Sequence, residues 1–212
     1  MTSATIAAEP VAGAVDAAAA ALRDGGVVVV PTDTVYGLAA LPADAEATAR
    51  LFALKGRSAA VPVAVLCASA DQALALADPA ARTGAVRRIA DRLWPGPLTL
   101  VLPRRPGLGY HLGEPATTVG VRCPDHPLVR ALAGEVGPLA TTSANRHGEP
   151  TPATAAEVAA SLGDGVALVV DGGPCRAPAS SVVDATGGGW TMLREGGVPL
   201  AAVRAAAAGA DR

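Results

Sequence analysis

Short apolar runs recur along the chain, and between them the apolar positions fall three and four residues apart. Val27–Val30 is an unbroken apolar run closed by Pro31, the pattern of a strand buried on both faces. Val63–Cys67, Leu98–Leu102, Thr118–Arg122, Leu139–Thr142 and Val166–Val170 read as further strands. Ser181–Asp184 and Trp190–Leu193 are expected to pair as a hairpin across Gly187–Gly189. The intervening stretches carry helix signals. An Ala-rich helix over 11–24 ends at Gly25-Gly26. Asp44 is placed to cap a helix over Asp44–Leu54, with Gly56 just past its end. Ser69 caps a short helix reaching Ala77, and one helix is expected over Pro79–Leu93, stopped by Trp94-Pro95-Gly96-Pro97. Pro127–Glu135 and Pro199–Ala208 are helical, and Thr154-x-x-Glu157 is a capping box for a helix ending at Leu162. Residues 1–10 are expected to be frayed and 104–115 to form a Gly/Pro-rich loop.

Strands alternating with helices indicate the α/β class, and the late hairpin makes the sheet mixed. No internal repeat or linker divides residues 1–212, so one domain is expected. A chain of this length buries roughly 70% of its unfolded surface without any staple. Composition narrows the function. Hydrophobic residues are 50% and charged residues 17%, which excludes a disordered chain. Five aromatic residues and a net charge of −2 argue against rows of stacked bases and against strong direct nucleic-acid binding. No apolar run reaches the roughly 18 residues that span a bilayer, and the N-terminus has no basic region of a signal peptide. Cys67, Cys123 and Cys175 stand far apart, as in a reducing compartment, so a cytoplasmic protein is expected.

The basic residues are 16 arginines and a single lysine, Lys55. A lysine kept alone among arginines marks a place where a compact ammonium suits and a planar fork does not. Phosphate-loop, dinucleotide, zinc-protease and nucleophile-elbow motifs are absent. His111, His126 and His147 lack metal-ligand spacing. Hydroxyls instead cluster just past strands: Thr32 and Thr34, then Thr141, Thr142 and Ser143 with Asn145. Arg122 ends another strand, and Ser180-Ser181 enter a late one. Open α/β sheets bind ligands at the carboxyl ends of their strands. With Lys55-Gly-Arg57, these groups suit an anionic small molecule, a nucleotide above all.

At these residues the chain resembles the YrdC family of threonylcarbamoyl-AMP synthases, from about Ala14 to Val198. The matching blocks are Pro31-Thr-Asp-Thr-Val-Tyr-Gly-Leu38, Lys55-Gly-Arg57, Trp94-Pro-Gly-Pro-Leu-Thr99, Thr118-Val-Gly-Val-Arg-Cys-Pro-Asp-His-Pro127, Thr142-Ser-Ala-Asn145 and Leu193-Arg-Glu-Gly196. The resemblance implies a twisted mixed sheet flanked by helices around a concave, basic cavity. It implies a nucleotidyltransferase that forms L-threonylcarbamoyl-adenylate from ATP, L-threonine and bicarbonate, releasing pyrophosphate. Mg2+ is expected with ATP, and the product is expected to pass to a tRNA threonylcarbamoyl transferase complex. By motif, Thr34, Arg122, Thr141 and Ser180 hold threonine. Lys55 and Arg57 hold the triphosphate as the catalytic pair. Thr118, Ser143, Asn145, Thr151 and Arg194 contact the nucleotide. No acidic cluster names a protein ligand for the metal, and Asp33 is the candidate for it.

The chain departs from the family pattern where Ser58, Val61 and Leu66 replace its usual Pro, Asn and His, and at Ala179-Ser180-Ser181. It ends at Arg212, so the extra C-terminal domain of the longer family branch is not expected. Two alternatives stand beside the synthase: a paralogue of the same fold handling another carbamoyl-adenylate, and a non-catalytic RNA-binding module.

Overall fold

The computed structural model describes residues 3–56 and 58–209. Among them the apolar runs assemble into one ten-stranded mixed sheet. Its strands are β1 (Ala4–Ala7), β2 (Val28–Val30), β3 (Gly37–Ala40), β4 (Ala64–Leu66), β5 (Leu98–Pro103), β6 (Thr118–Arg122), β7 (Leu139–Ser143), β8 (Leu168–Asp171), β9 (Ser181–Asp184) and β10 (Thr191–Arg194). Their order is β1-β8-β2-β3-β7-β4-β6-β5-β9-β10. The pairs β1/β8, β2/β8, β4/β6 and β5/β9 are parallel, and the others antiparallel.

Both faces of the central strands are covered, which is why β2 reads as an uninterrupted valine run. One face packs against α1 (Val11–Arg23) and α5 (Pro127–Val136), with Leu22, Leu128 and Leu132 on Val28, Val30 and Leu139. On the other, Leu51 of α2 (Ala45–Lys55), Ile89 of α4 (Gly84–Leu93), Val158 of α6 (Ala155–Leu162) and Val203 of α7 (Leu200–Ala208) join Val29, Leu38, Val65 and Leu100. A short α3 (Ala70–Leu74) precedes α4, capped by Ser69 as its sequence indicates. Among the described residues no helix is long and apolar enough to cross a membrane.

Local chemistry accounts for the helix that carries the lone lysine. Asp44 Oδ1 accepts from the Glu46 and Ala47 amides at 2.9 Å each, which satisfies donors the first turn leaves open. Gly56 follows α2 with φ +63°, a left-handed conformation that suits glycine. The helix thus ends directly after Lys55, whose positive charge complements the carboxyl end of the helix dipole.

Three expectations are corrected. Residues 4–7 are not frayed: they form an edge strand, with Ala4 opposite Leu168 and Ala7 opposite Asp171. Ala-Thr-Ile-Ala shows no strand pattern because three of these residues stay exposed. The expected single helix over Pro79–Leu93 is broken. Asp78 starts a 3-10 turn at Pro79–Ala81, and the Thr83 hydroxyl then accepts from the Val86 amide and begins α4 afresh. The short helix after Ser69 ends at Leu74 rather than Ala77. A strand that sequence reading did not place, β3, is held between β2 and β7. Gly-Leu-Ala-Ala has little strand propensity, and its two neighbours supply the pairing that fixes it.

Asp44→Ala should lower stability by about 1–2 kcal/mol, the usual loss for an N-cap, measured by urea denaturation. A change within error would remove the cap from the account of α2.

Candidate active site

The sheet face beneath β7, β4, β6, β5 and β9 opens into a cavity of about 590 Å³. Strand alternation decides which side chains reach it. Thr118, Gly120 and Arg122 line it from β6, Thr99 and Val101 from β5, and Thr141 and Ser143 from β7. Ser180 and Val182 line it beside them, and the loop after β2 closes one side with Thr32, Thr34 and Tyr36.

Arg122 is the fixed cation of the site, only 5% exposed. Its Nη2 donates to Asp33 Oδ1 at 2.5 Å, Nη1 to Thr34 Oγ1 at 3.0 Å, and Nε to the Gly96 carbonyl at 3.1 Å. Burial pulls its pKa below the ordinary arginine value and the Asp33 charge opposes that shift, so the guanidinium stays protonated at neutral pH. Asp33 is therefore the counter-ion of Arg122. Thr32 is a loop-former: its hydroxyl donates to the Val35 carbonyl and accepts from the Thr34 and Val35 amides, which turns Thr34 toward Arg122.

The second cation, Arg194, donates through Nε to the Ser180 carbonyl and through Nη2 to Ser180 Oγ, both at 3.0 Å. Ser180 Oγ also lies 3.0 Å from Thr99 Oγ1. Ser180, an expected threonine contact, and Arg194, an expected nucleotide contact, thus share a network with Thr99. Thr141 lines the same space and donates to the Leu139 carbonyl.

Lys55 is buried behind this wall. Its ammonium donates to the Ser143 carbonyl and Ser143 Oγ at 2.9 Å each, and to Asn145 Oδ1. Three oxygens arranged about one nitrogen match the three donors of an ammonium, and a planar guanidinium has no equivalent geometry. Thr151 Oγ1 donates to Asn145 Oδ1, while Asn145 Nδ2 donates to the Arg146 and Glu149 carbonyls. Ser143 and Thr151 face the cavity, whereas Lys55 and Asn145 stand one layer behind them. The structure therefore gathers Thr34, Arg122, Thr141, Ser180, Thr118, Ser143, Thr151 and Arg194 on one space and backs it with Lys55 and Asn145. Arg57 lies outside the described residues.

Sequence reading missed Thr99, Tyr36 and the pairing of Asp33. Thr99 was findable, because Thr99 and Val101 alternate on a strand adjoining Arg122. Tyr36 is fully buried, donates to the Gly173 carbonyl at 2.7 Å and accepts from the Gly172 amide at 3.1 Å. Burial pushes its phenol up to about 12, so it serves as a neutral tie between this loop and the end of β8. That contact spans more than 130 positions of sequence and leaves no local signal.

A helix-covered mixed sheet with a cation-anchored, hydroxyl-lined cavity on one face defines the class: an α/β domain with a polar pocket on its sheet. The chain belongs to the Sua5/YciO/YrdC family, whose model, described as "Telomere recombination", matches residues 20–196. A Mycobacterium tuberculosis protein is 41% identical over 184 residues, 85% of this chain and 83% of that one. Threonylcarbamoyl-AMP synthase of Bacillus subtilis is 40% identical, and this chain spans 53% of its length. The crystal structure of Pyrococcus abyssi Sua5 complexed with L-threonine superposes with a TM-score of 0.88 at 34% identity, covering 97% of this chain and 61% of that one.

Asp33→Asn leaves a buried guanidinium without its counter-charge. It should cost about 3 kcal/mol of stability, measured by urea denaturation. A loss below about 1 kcal/mol would show that the pair is not what holds Arg122.

Proposed function

We propose that this chain is an L-threonylcarbamoyl-adenylate synthase, acting in the cytoplasm on ATP, L-threonine and bicarbonate. The observation that carries the reading is one cavity joining a guanidinium clamp, Arg122 with Thr34, to a lysine-backed hydroxyl wall, Ser143 with Thr151. A carboxylate and a polyphosphate are the two anions such a space suits. Relatives named threonylcarbamoyl-AMP synthase, 37–41% identical, support it.

In this reading Arg122 clamps the threonine carboxylate, and Thr34, Thr141 and Ser180 orient its hydroxyl and amine. Bicarbonate takes up a proton and loses water to give carbon dioxide, whose carbon bonds to the neutral amine nitrogen as that nitrogen gives up a proton to leave the carbamate. A carbamate oxygen then bonds to the α-phosphorus. The bond from that phosphorus to the bridging oxygen breaks, and its electron pair leaves with pyrophosphate. Thr118, Ser143, Asn145 and Thr151 hold the nucleotide. Lys55, Arg194 and, by its motif, Arg57 offset the charge that grows on the phosphates. Such a transfer proceeds by positioning and charge neutralisation and requires no protein nucleophile.

Magnesium enters with ATP as part of the substrate. The substrate phosphates are the oxygen ligands such an ion takes. The adenylate is unstable chemistry in need of an acceptor. Hand-over to a tRNA threonylcarbamoyl transferase complex fits a net charge of −2, which gives this chain little hold on RNA itself.

Purified protein with MgATP should release pyrophosphate only when threonine and bicarbonate are both present. Release indifferent to threonine would overturn the reading. Lys55→Ala should lower kcat/KM by roughly 10²–10³, the scale of a lost charge-stabilising group. Lys55→Arg should also be impaired, because a planar fork does not fit three oxygens gathered about a single nitrogen. Full activity of the arginine variant would leave the lone lysine without a role of its own.

A further inference from the structure

The segment that follows Lys55-Gly-Arg57 runs as a thin wall between two cavities. Val61, Pro62 and Val63 line the cavity already described. Ala59 lines a second one, of about 970 Å³, between α2 and the loop after β5. Both ends of the wall are fixed. The Lys55 carbonyl accepts from the His147 amide at 2.7 Å, and β4 begins at Ala64. The middle is exposed from Ser58 to Val61 and draws little support from packing. Backbone of that kind stays in place through the hydrogen bonds it makes to firmer structure.

That firmer structure is the Gly/Pro-rich loop after β5. The Glu114 amide donates to the Ala59 carbonyl at 2.7 Å, and the Val63 amide donates to the Leu112 carbonyl at 2.9 Å. Gly113 stands between these two bonds with φ +91°. A Cβ on it would lie 2.6 Å from the Ala59 carbonyl oxygen and 3.2 Å from Pro62 Cα. The two backbones thus meet at a separation and a dihedral angle that suit glycine. The loop itself is braced. Arg104 Nη2 donates to the Leu108 carbonyl and, at 2.6 Å, to the Tyr110 carbonyl. The His111 amide donates to the Pro42 carbonyl at 2.8 Å, and Leu108 and Leu112 are buried. One side of the contact is therefore anchored and the other exposed, so a wedge at Gly113 displaces the wall.

We propose that residues 108–114 are a strap that sets the course of the segment after Lys55-Gly-Arg57, with Gly113 as its positioning residue. This rests on the reading under Proposed function, in which the cations of that motif meet the triphosphate. The motif supplies the charge, and a strap distant in sequence decides where the chain leaving it runs. Threonine is held separately, at the end built from Arg122, Asp33 and Thr34. Gly113 therefore acts on the polyphosphate end of the cavity and leaves the threonine end alone.

The test compares Gly113→Ala with Gly107→Ala in the whole chain. Gly107 belongs to the same loop and has φ +73°, but a Cβ there meets nothing within 4 Å. It carries the left-handed penalty without the wedge. Hydrogen exchange at the Val63 and Glu114 amides should quicken in Gly113→Ala and not in Gly107→Ala. Calorimetry should show tripolyphosphate affinity reduced about 10-fold by Gly113→Ala, the scale of a loosened hydrogen bond to a charged group. kcat/KM for MgATP should fall roughly 10²-fold, the scale of an ångström of misplacement, while KM for threonine holds. Arg104→Met frees the strap without a wedge and should move the same quantities the same way by less. It carries the test if Gly113→Ala does not fold, and unchanged tripolyphosphate affinity there would overturn the strap. Equal behaviour of the two alanine variants, or an equal loss for tripolyphosphate and threonine, would overturn it too. The two readings fail separately. A tripolyphosphate affinity that depends on Gly113, in a protein that releases no pyrophosphate with threonine and bicarbonate, keeps the strap and loses the synthase. Threonine-dependent release with Gly113→Ala matching Gly107→Ala does the reverse.

Discussion

A guanidinium taken out of water at the end of a central strand requires a counter-charge and oxygens for its donors. Arg122 obtains both from elsewhere in the chain: Asp33 and Thr34 from the loop after β2, and the Gly96 carbonyl from the turn before β5. The ion pair therefore does more than neutralise a buried cation. It fixes two loops against the end of β6 and sets the polar end of the cavity. Thr34 is aimed by the Thr32 turn and, in the same loop, Tyr36 is tied to the end of β8. A small shift of the arginine would move all of these together.

The other end of the cavity depends on a second buried cation, held differently. Lys55 donates to the Ser143 carbonyl, Ser143 Oγ and Asn145 Oδ1, so it braces the hydroxyl wall from behind. Arg194 donates to Ser180, whose hydroxyl lies 3.0 Å from Thr99 Oγ1.

Much of this protein was legible from residue order alone, for a local reason. The valine run of β2, the caps Asp44, Ser69 and Thr154, and Gly56 beyond α2 act within a few positions of themselves, so their effects are written beside them. The hydroxyls after strands and the solitary lysine pointed to an anion site because chemistry of that kind leaves a compositional mark. The edge strand β1, the Gly-Leu-Ala-Ala strand β3 and the fresh start of α4 at Thr83 were not legible. Each depends on a pairing or a competing hydrogen bond whose outcome is set by neighbours distant in the chain or by the packing around it.

The sequence by itself determined the class, the run of elements and which residue types would carry the chemistry. Only the tertiary structure decided that Asp33 serves Arg122, that Lys55 stands behind Ser143, and that Gly113 lies against Ala59. Those facts join positions far apart in the chain. Burial gives the first two their strength, because an ion pair and an ammonium take their meaning from the water around them, which the fold alone removes or leaves in place.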